Sequence, residues 1–197
     1  MKRNQIEYFD GPGEAAFYAP KMDLMATDAL GREWQLSTVQ IDYFMPERFE
    51  LEYTDQNGQK ARPVMLHRAI VGSPERFLMI LIEHFAGAFP VWLSPVQAKI
   101  IPITDAQHEY SRKVFEKLKV EGIRVEIDDR PEKMQAKIRD AQLAKIPYML
   151  IIGTREAESK SVAVRQRDNQ DLGALNINDF LAKIKEQITT KSLNLIK

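Results

Sequence analysis

The pattern of apolar residues changes period at Phe89-Pro90-Val91-Trp92-Leu93-Ser94-Pro95, and that change limits how this chain can fold. Ahead of it, short runs alternate apolar with polar residues, the signature of strands with one covered face. Behind it, apolar strand-like runs alternate with segments of helical period, as in an α/β unit with a mainly parallel sheet. Proline cannot extend a helix or pair fully in a strand, so the stretch reads as a boundary. A length of 197 residues suffices for two modest domains. Residues 1–93 and 94–197 are expected to form them.

In the front part, Thr38, Gln40 and Asp42 alternate with Val39, Ile41 and Tyr43. The spacing predicts a strand with one polar and one apolar face. Phe17 to Met25 and Phe49 to Tyr53 read as further strands. Asp55-Gln56-Asn57-Gly58 is a turn ahead of the run Val64-Met65-Leu66. A helix is expected to begin at Ser73-Pro74-Glu75, residues suited to an N-cap and first turn. Its body, Phe77 to Ile82, is apolar nearly all round, which predicts deep burial. Gly87 is expected to end it.

In the back part, Val96 to Ile103, Ile123 to Ile127, Tyr148 to Ile152 and Ser161 to Gln166 read as strands. Between the first two, Thr104 or Asp105 caps a helix carrying Tyr110, Val114, Phe115 and Leu118. Pro131 opens another through about Lys145, with Met134, Ile138 and Ala141 inward. Asn176 caps a last helix carrying Phe180, Leu181, Ile184 and Ile188. A mixed, roughly five-stranded sheet flanked by helices is expected.

Composition narrows the chemistry. With no cysteine, disulfides, thiolate metal sites and cysteine nucleophiles are excluded. His67, His84 and His108 are the whole supply of imidazole, and spacing alone gives them no metal site. No apolar stretch approaches the ~20 residues of a membrane helix, and no signal peptide is visible. Residues 1–95 carry 9 basic and 13 acidic side chains, residues 96–197 carry 19 and 15, so the two parts are suited to different partners. Lys133, Lys137, Arg139 and Lys145 make the helix after Pro131 basic, either an ordinary solvated face or an RNA contact. The face of Thr38, Gln40 and Asp42 is either solvated or the floor of a small-molecule site. The stretch His67 to Arg76 sets an arginine in the first turn of a helix after a small-residue turn, an arrangement suited to phosphate.

Taken together, these segments resemble threonyl-tRNA synthetases along almost the whole chain. The resemblance rests on Glu14 to Lys21 (EAAFYAPK), Thr38 to Asp42 (TVQID), Pro46 to Phe49 (PERF) and Val64 to Phe77 (VMLHRAIVGSPERF). Beyond the boundary it continues in Trp92 to Gln97, Gly122 to Val125, Lys145 to Leu150 and Val162 to Arg165. Val64 to Phe77 looks like motif 3 of class II synthetases. The resemblance implies a partial class II antiparallel sheet with its motif 3 helix, followed by an α/β anticodon-binding domain. It implies that Arg76 binds ATP phosphates and is catalytic, that Tyr18, Gln40 and Ser73 line the threonine pocket, and that Gln35 contacts the nucleotide. His67 looks like one of three ligands of a zinc that grips the amino and hydroxyl groups of threonine. Lys133, Arg139, Lys145, Glu156 and Arg165 match positions that face the anticodon.

The implied partners of the full enzyme are threonine, ATP with Mg²⁺, zinc and tRNA, in the cytoplasm and away from membranes. Motifs 1 and 2 and two zinc ligands are expected to lie upstream of this sequence, so the chain alone is expected neither to activate threonine nor to build the zinc site. An exposed sheet edge and apolar surface are expected to follow, with self-association, a homodimer, disorder or a missing N-terminal partner. Ala19 stands where the family usually has glycine, Leu36-Ser37-Thr38 where it has Cys-Gly-Thr or similar, Pro131 for asparagine and Lys145 for arginine. A lysine cannot reproduce an arginine fork. Two readings stay open: part of a threonine–tRNA ligase, or a non-catalytic tRNA-binding or regulatory paralogue.

Overall fold

The computed structural model describes residues 7–18 and 20–196. The chain divides into two compact units that meet between His84 and Phe85. The proline-rich stretch taken as the boundary belongs to the second unit, because Val91 is fully buried in that unit's core. Ala19 lies outside the described residues.

In the first unit, β1 (Lys21–Thr27), β2 (Glu33–Asp42) and β5 (Met65–Ala69) form an antiparallel sheet in the order β1-β2-β5. A hairpin of β3 (Tyr53–Thr54) and β4 (Lys60–Ala61) turns at Asp55, whose carboxylate accepts from Asn57 N and Gln59 N. Two expected strands are displaced. Phe17 lies in a turn, and the β1–β2 ladder begins at Lys21. The segment before Tyr53 is not a strand: Phe44–Arg48 is helix α1, because Asp42 Oδ1 accepts the N–H groups of Phe44 and Met45 and caps it.

Helix α2 (Pro74–Phe85) starts and stops as its sequence predicts, but no residue in it is buried. Phe77, Ile80 and Leu81 are half-covered, while Leu78, Met79 and Ile82 face solvent. The sheet's apolar face is similarly open, with Met22, Leu24 and Leu66 exposed. Three strands cannot cover an all-round apolar helix. β1 and β5 each keep one edge unpaired among the described residues.

The second unit holds a five-stranded sheet in the order β10-β9-β8-β6-β7: β6 (Ala98–Pro102), β7 (Val125–Ile127), β8 (Tyr148–Ile152), β9 (Ser161–Gln166) and β10 (Asp171–Asn176). β6 runs parallel to β7 and β8, and β9 is antiparallel to β8 and β10. On one face, α3 (His108–Val120) and α6 (Ile177–Thr189) close the main core, with Val114, Leu118, Phe180 and Ile184 against Ile100, Leu150 and Val164. On the other, α4 (Met134–Leu143) packs Ile138 and Ala141 against Ile101 and Met149. Thr104 and Gln107 form a capping box ahead of α3, and Asn176 caps α6 by accepting from Asn178 N.

Four details differ from expectation. α4 begins at Met134, not Pro131, because the preceding turn is closed by Glu132 N to Arg130 O and Lys133 is extended. Lys137, counted with the solvated basic face, is buried, because it shares the inward stripe of α4 with Ile138 and Ala141. α5 (Thr154–Ser159) and β10 had no clear sequence period. α5 is only six residues long, and Gly173 interrupts β10 at a register shift.

Candidate substrate site and nucleic-acid interface

Residues paired across an antiparallel sheet share a face. One row is Lys21, Gln40 and His67, and the next is Asp23, Thr38 and Ala69. Tyr18 comes from the turn before β1 and donates its hydroxyl to Gln40 Oε1. Its ring centroid lies 5.5 Å from that of His67. His67 Nε2 is 2.7 Å from Oδ2 of Asp42, whose side chain is fully buried. Burial pushes the Asp42 carboxyl up. The Met45 N–H, His67 and the Phe44 N–H outweigh that and hold it below the usual carboxylate range. Tyr18, Gln40 and His67 thus meet at one place, steadied by Asp42. The polar face had included Asp42 but given it no role, although an aspartate just before a helix is an N-cap signal.

Strict alternation would put Gln35 on the face opposite Thr38 and Gln40. A bulge at Leu36 prevents this: Leu24 pairs with Ser37 but Met25 with Gln35. One extra residue shifts the register and returns Gln35 to the Gln40 face. There the Gln35 carbonyl accepts from Arg76 Nη1 at 3.3 Å. Ser73 Oγ donates to Glu75 at 2.6 Å and accepts from Arg76 N at 3.4 Å. Gly72 holds a φ of +61°, and a Cβ there would lie 3.2 Å from the Leu36 carbonyl oxygen, so glycine allows the close approach. Gln35, Thr38, Gly72, Ser73 and Arg76 line a cavity of about 190 Å³. That is below the ~300–1,000 Å³ usual for a whole small-molecule site, and it suits a fragment such as a phosphoryl group.

Among the described residues no three His, Cys, Asp or Glu side chains cluster as a metal site. Zinc takes three or four protein ligands. The donors at His67 therefore do not by themselves make a complete zinc site.

The second unit presents a different surface. Lys99, Ile101, Met149, Ile151, Ala163 and Arg165 share the sheet face that α4 partly covers. Lys133 is the N-cap of α4, Arg139 stands exposed on its outer side, and Lys145 follows its end with a φ of +58°. Lys133 and Glu156 lie at the end where β7 and β8 finish. Lys145 and Arg165 lie at the other end, since Arg165 pairs with Met149. The five positions are therefore divided between the two ends of the sheet and α4, not gathered in a pocket. Glu156 accepts from Gly153 N at 2.9 Å and so caps α5. Arg165 Nε is shielded from solvent without an acceptor, while its Nη2 is 3.4 Å from Asn169 Oδ1. Asn169 also accepts from Gln142 Nε2 at 2.7 Å. Sequence reasoning missed this Asn169–Gln142 bracket, because it joins α4 to a turn across 27 residues.

Residues 2–85 match the family model "tRNA synthetase class II core domain (G, H, P, S and T)", and residues 97–187 match the model "Anticodon binding domain". A threonine–tRNA ligase from Caldanaerobacter subterraneus subsp. tengcongensis is 55% identical over 193 residues, covering 98% of this chain and 30% of that protein. The chain belongs to the threonyl-tRNA synthetase family. A threonine–tRNA ligase from Desulforamulus reducens is 53% identical, again over 98% of this chain and 30% of that protein. The chain thus spans about 30% of the length of these relatives. Among solved structures, the RNA-binding domain of threonyl-tRNA synthetase from Cryptosporidium parvum superposes with a TM-score of 0.86 at 38% identity, over 94% of this chain and 47% of that one. The antiparallel sheet and the mixed five-stranded sheet are those expected of a threonyl-tRNA synthetase C-terminal part. No helix among the described residues is long and apolar enough to cross a membrane.

Proposed function

We propose that this chain supplies the motif 3 end of the catalytic domain and the anticodon-binding domain of a threonine–tRNA ligase, which activates threonine with ATP and transfers it to tRNA in the cytoplasm. The observation that carries the reading is the convergence of Tyr18, Gln40 and His67 on the sheet face that also holds the Gln35–Arg76 notch. Tyr18 and Gln40 would hold threonine by hydrogen bonds, with Ser73 at the mouth of the notch. Arg76, with Mg²⁺, would neutralise phosphate charge while the threonine carboxylate attacks the α-phosphorus and pyrophosphate leaves. His67 would contribute one zinc ligand beside ligands from outside this chain. Lys133, Arg139, Lys145, Glu156 and Arg165 would read the single-stranded anticodon through base edges and phosphates. Asp42, buried and bonded to His67 Nε2, would fix the ring so that Nδ1 remains for the metal.

A second reading, a non-catalytic tRNA-binding paralogue, is favoured by the substitutions at Ala19, Ser37 and Pro131. Two assays separate the readings. Filter binding should show preference for threonine tRNA over other tRNAs, weakened by Arg139→Ala; equal affinity for every tRNA at moderate salt would overturn anticodon recognition. Threonine-dependent pyrophosphate exchange should be absent with the 197-residue chain and appear when the upstream catalytic segment is supplied. Failure of that segment to restore exchange favours the paralogue.

A further inference from the structure

We propose that Asp128 and Arg130 are positioning residues that fix how α4 presents Lys133 and Arg139 to the anticodon; the proposal rests on the anticodon reading above. Asp128 directly follows β7, and its N–H donates to the Ile100 carbonyl at 2.9 Å, so its backbone is tied to the central strand β6. Its side chain is only 2% exposed. Arg130 fills both its oxygens, with Nε 2.8 Å from Oδ1 and Nη2 2.7 Å from Oδ2. The same Nη2 reaches Asp140 Oδ2 on α4 at 3.0 Å. Asp140 Oδ1 lies 3.6 Å from Arg139 Nη2. One planar fork therefore links the end of β7, the loop before Lys133 and the outer side of α4 beside Arg139.

The charges agree with a clamp and not with a phosphate contact. The Arg130 guanidinium holds the Asp128 carboxyl below its usual range, against the effect of burial. Its two carboxylate partners hold Arg130 firmly protonated. An arginine neutralised by two carboxylates has little charge left for RNA. Nor is the fork needed to dock the helix, since Met134, Ile138 and Ala141 already pack α4 on the sheet. What packing leaves open is the loop that leads into Lys133, which makes no side-chain cap bond, and the fork closes that freedom. Once released, Arg130 would be a mobile cation able to meet any phosphate.

The test compares the 197-residue chain with its Asp128→Asn, Arg130→Lys and Arg139→Ala variants. Each is bound to a threonine tRNA transcript and to the same transcript with a substituted anticodon, across a salt series. Asp128→Asn and Arg130→Lys should each lower the ratio of the two affinities about tenfold. Affinity for the substituted transcript should hold or rise, and for Asp128→Asn the salt slope should steepen as Arg130 is freed. A loss of folded protein alone would lower both affinities together and leave the ratio unchanged. Should Asp128→Asn fail to fold, Arg130→Lys carries the comparison. A wild-type ratio retained by both variants, while Arg139→Ala loses it, overturns the clamp and leaves anticodon reading standing. A wild-type chain that does not distinguish the transcripts overturns both.

Discussion

Tyr148 illustrates how much one side chain can fix. It is fully buried, donates its hydroxyl to Gln187 Oε1 at 2.7 Å and accepts from Ile196 N at 2.8 Å. One phenol thus ties β8 to α6 and to the chain's last described residue. Tyr148→Phe should cost about 1–3 kcal/mol, because it strands a buried donor and a buried acceptor; urea denaturation of the second unit measures this. Burial pushes the Tyr148 hydroxyl up to about 12 from an ordinary 10.0. The unfolded tyrosine then ionises first as pH rises. The stabilisation is complete below the ordinary value and is lost between the ordinary and the folded one. The denaturation midpoint should therefore fall between about pH 10 and about pH 12, and fall less in Tyr148→Phe. An undiminished fall in the variant would assign the effect to other groups.

At the scale of elements, the bulge in β2 and the turn into α2 act together. The bulge brings Gln35 to the Gln40 face, and Gly72 brings the start of α2 against the bulged strand. Gly72→Ala puts a methyl group 3.2 Å from the Leu36 carbonyl in a left-handed conformation. Its expected cost is about 1–3 kcal/mol. The notch should open as well, so in the reconstituted enzyme the KM for ATP should rise; an unchanged KM would show that the close approach serves only folding. Much of this region was legible in sequence. The polar row of Thr38, Gln40 and Asp42, the Ser73 start and the Asp55 turn all follow from local signals. The bulge was not, because Leu36-Ser37 carries no local mark and the register is set by β1. α5 and β10 escaped for the same reason: each is short and held by its neighbours.

At the scale of the whole molecule, the two units contrast. The second has two cores and many fully buried side chains, whereas among the described residues of the first only Asp42 and Pro46 are buried. Residues 85–197 expressed alone should therefore fold cooperatively, with the same denaturation midpoint as in the full chain, and should keep tRNA binding. A molten spectrum from that fragment would contradict its independence. The first unit exposes Met22, Leu24, Leu66, Ile70 and Leu78. Apolar surface of this kind promotes association. Sedimentation should show concentration-dependent self-association that Leu24→Lys with Leu66→Lys reduces without changing the second unit's midpoint; a monomer at all concentrations would contradict this.

Local chemistry alone determined the break between the two patterns, the four strands from Ala98 to Gln166, the capped helices and the family resemblance, because each depends on period, caps or contiguous residues. Burial depended on what else was near. The same apolar richness that centres β8 in a core leaves α2 open to solvent, since burial needs a covering partner that periodicity does not name. Pairing across distant segments, Tyr18 with Gln40, Asp42 with His67 and Arg130 with Asp140, was likewise decided only in three dimensions, where register and helix phase bring together side chains that no local spacing relates.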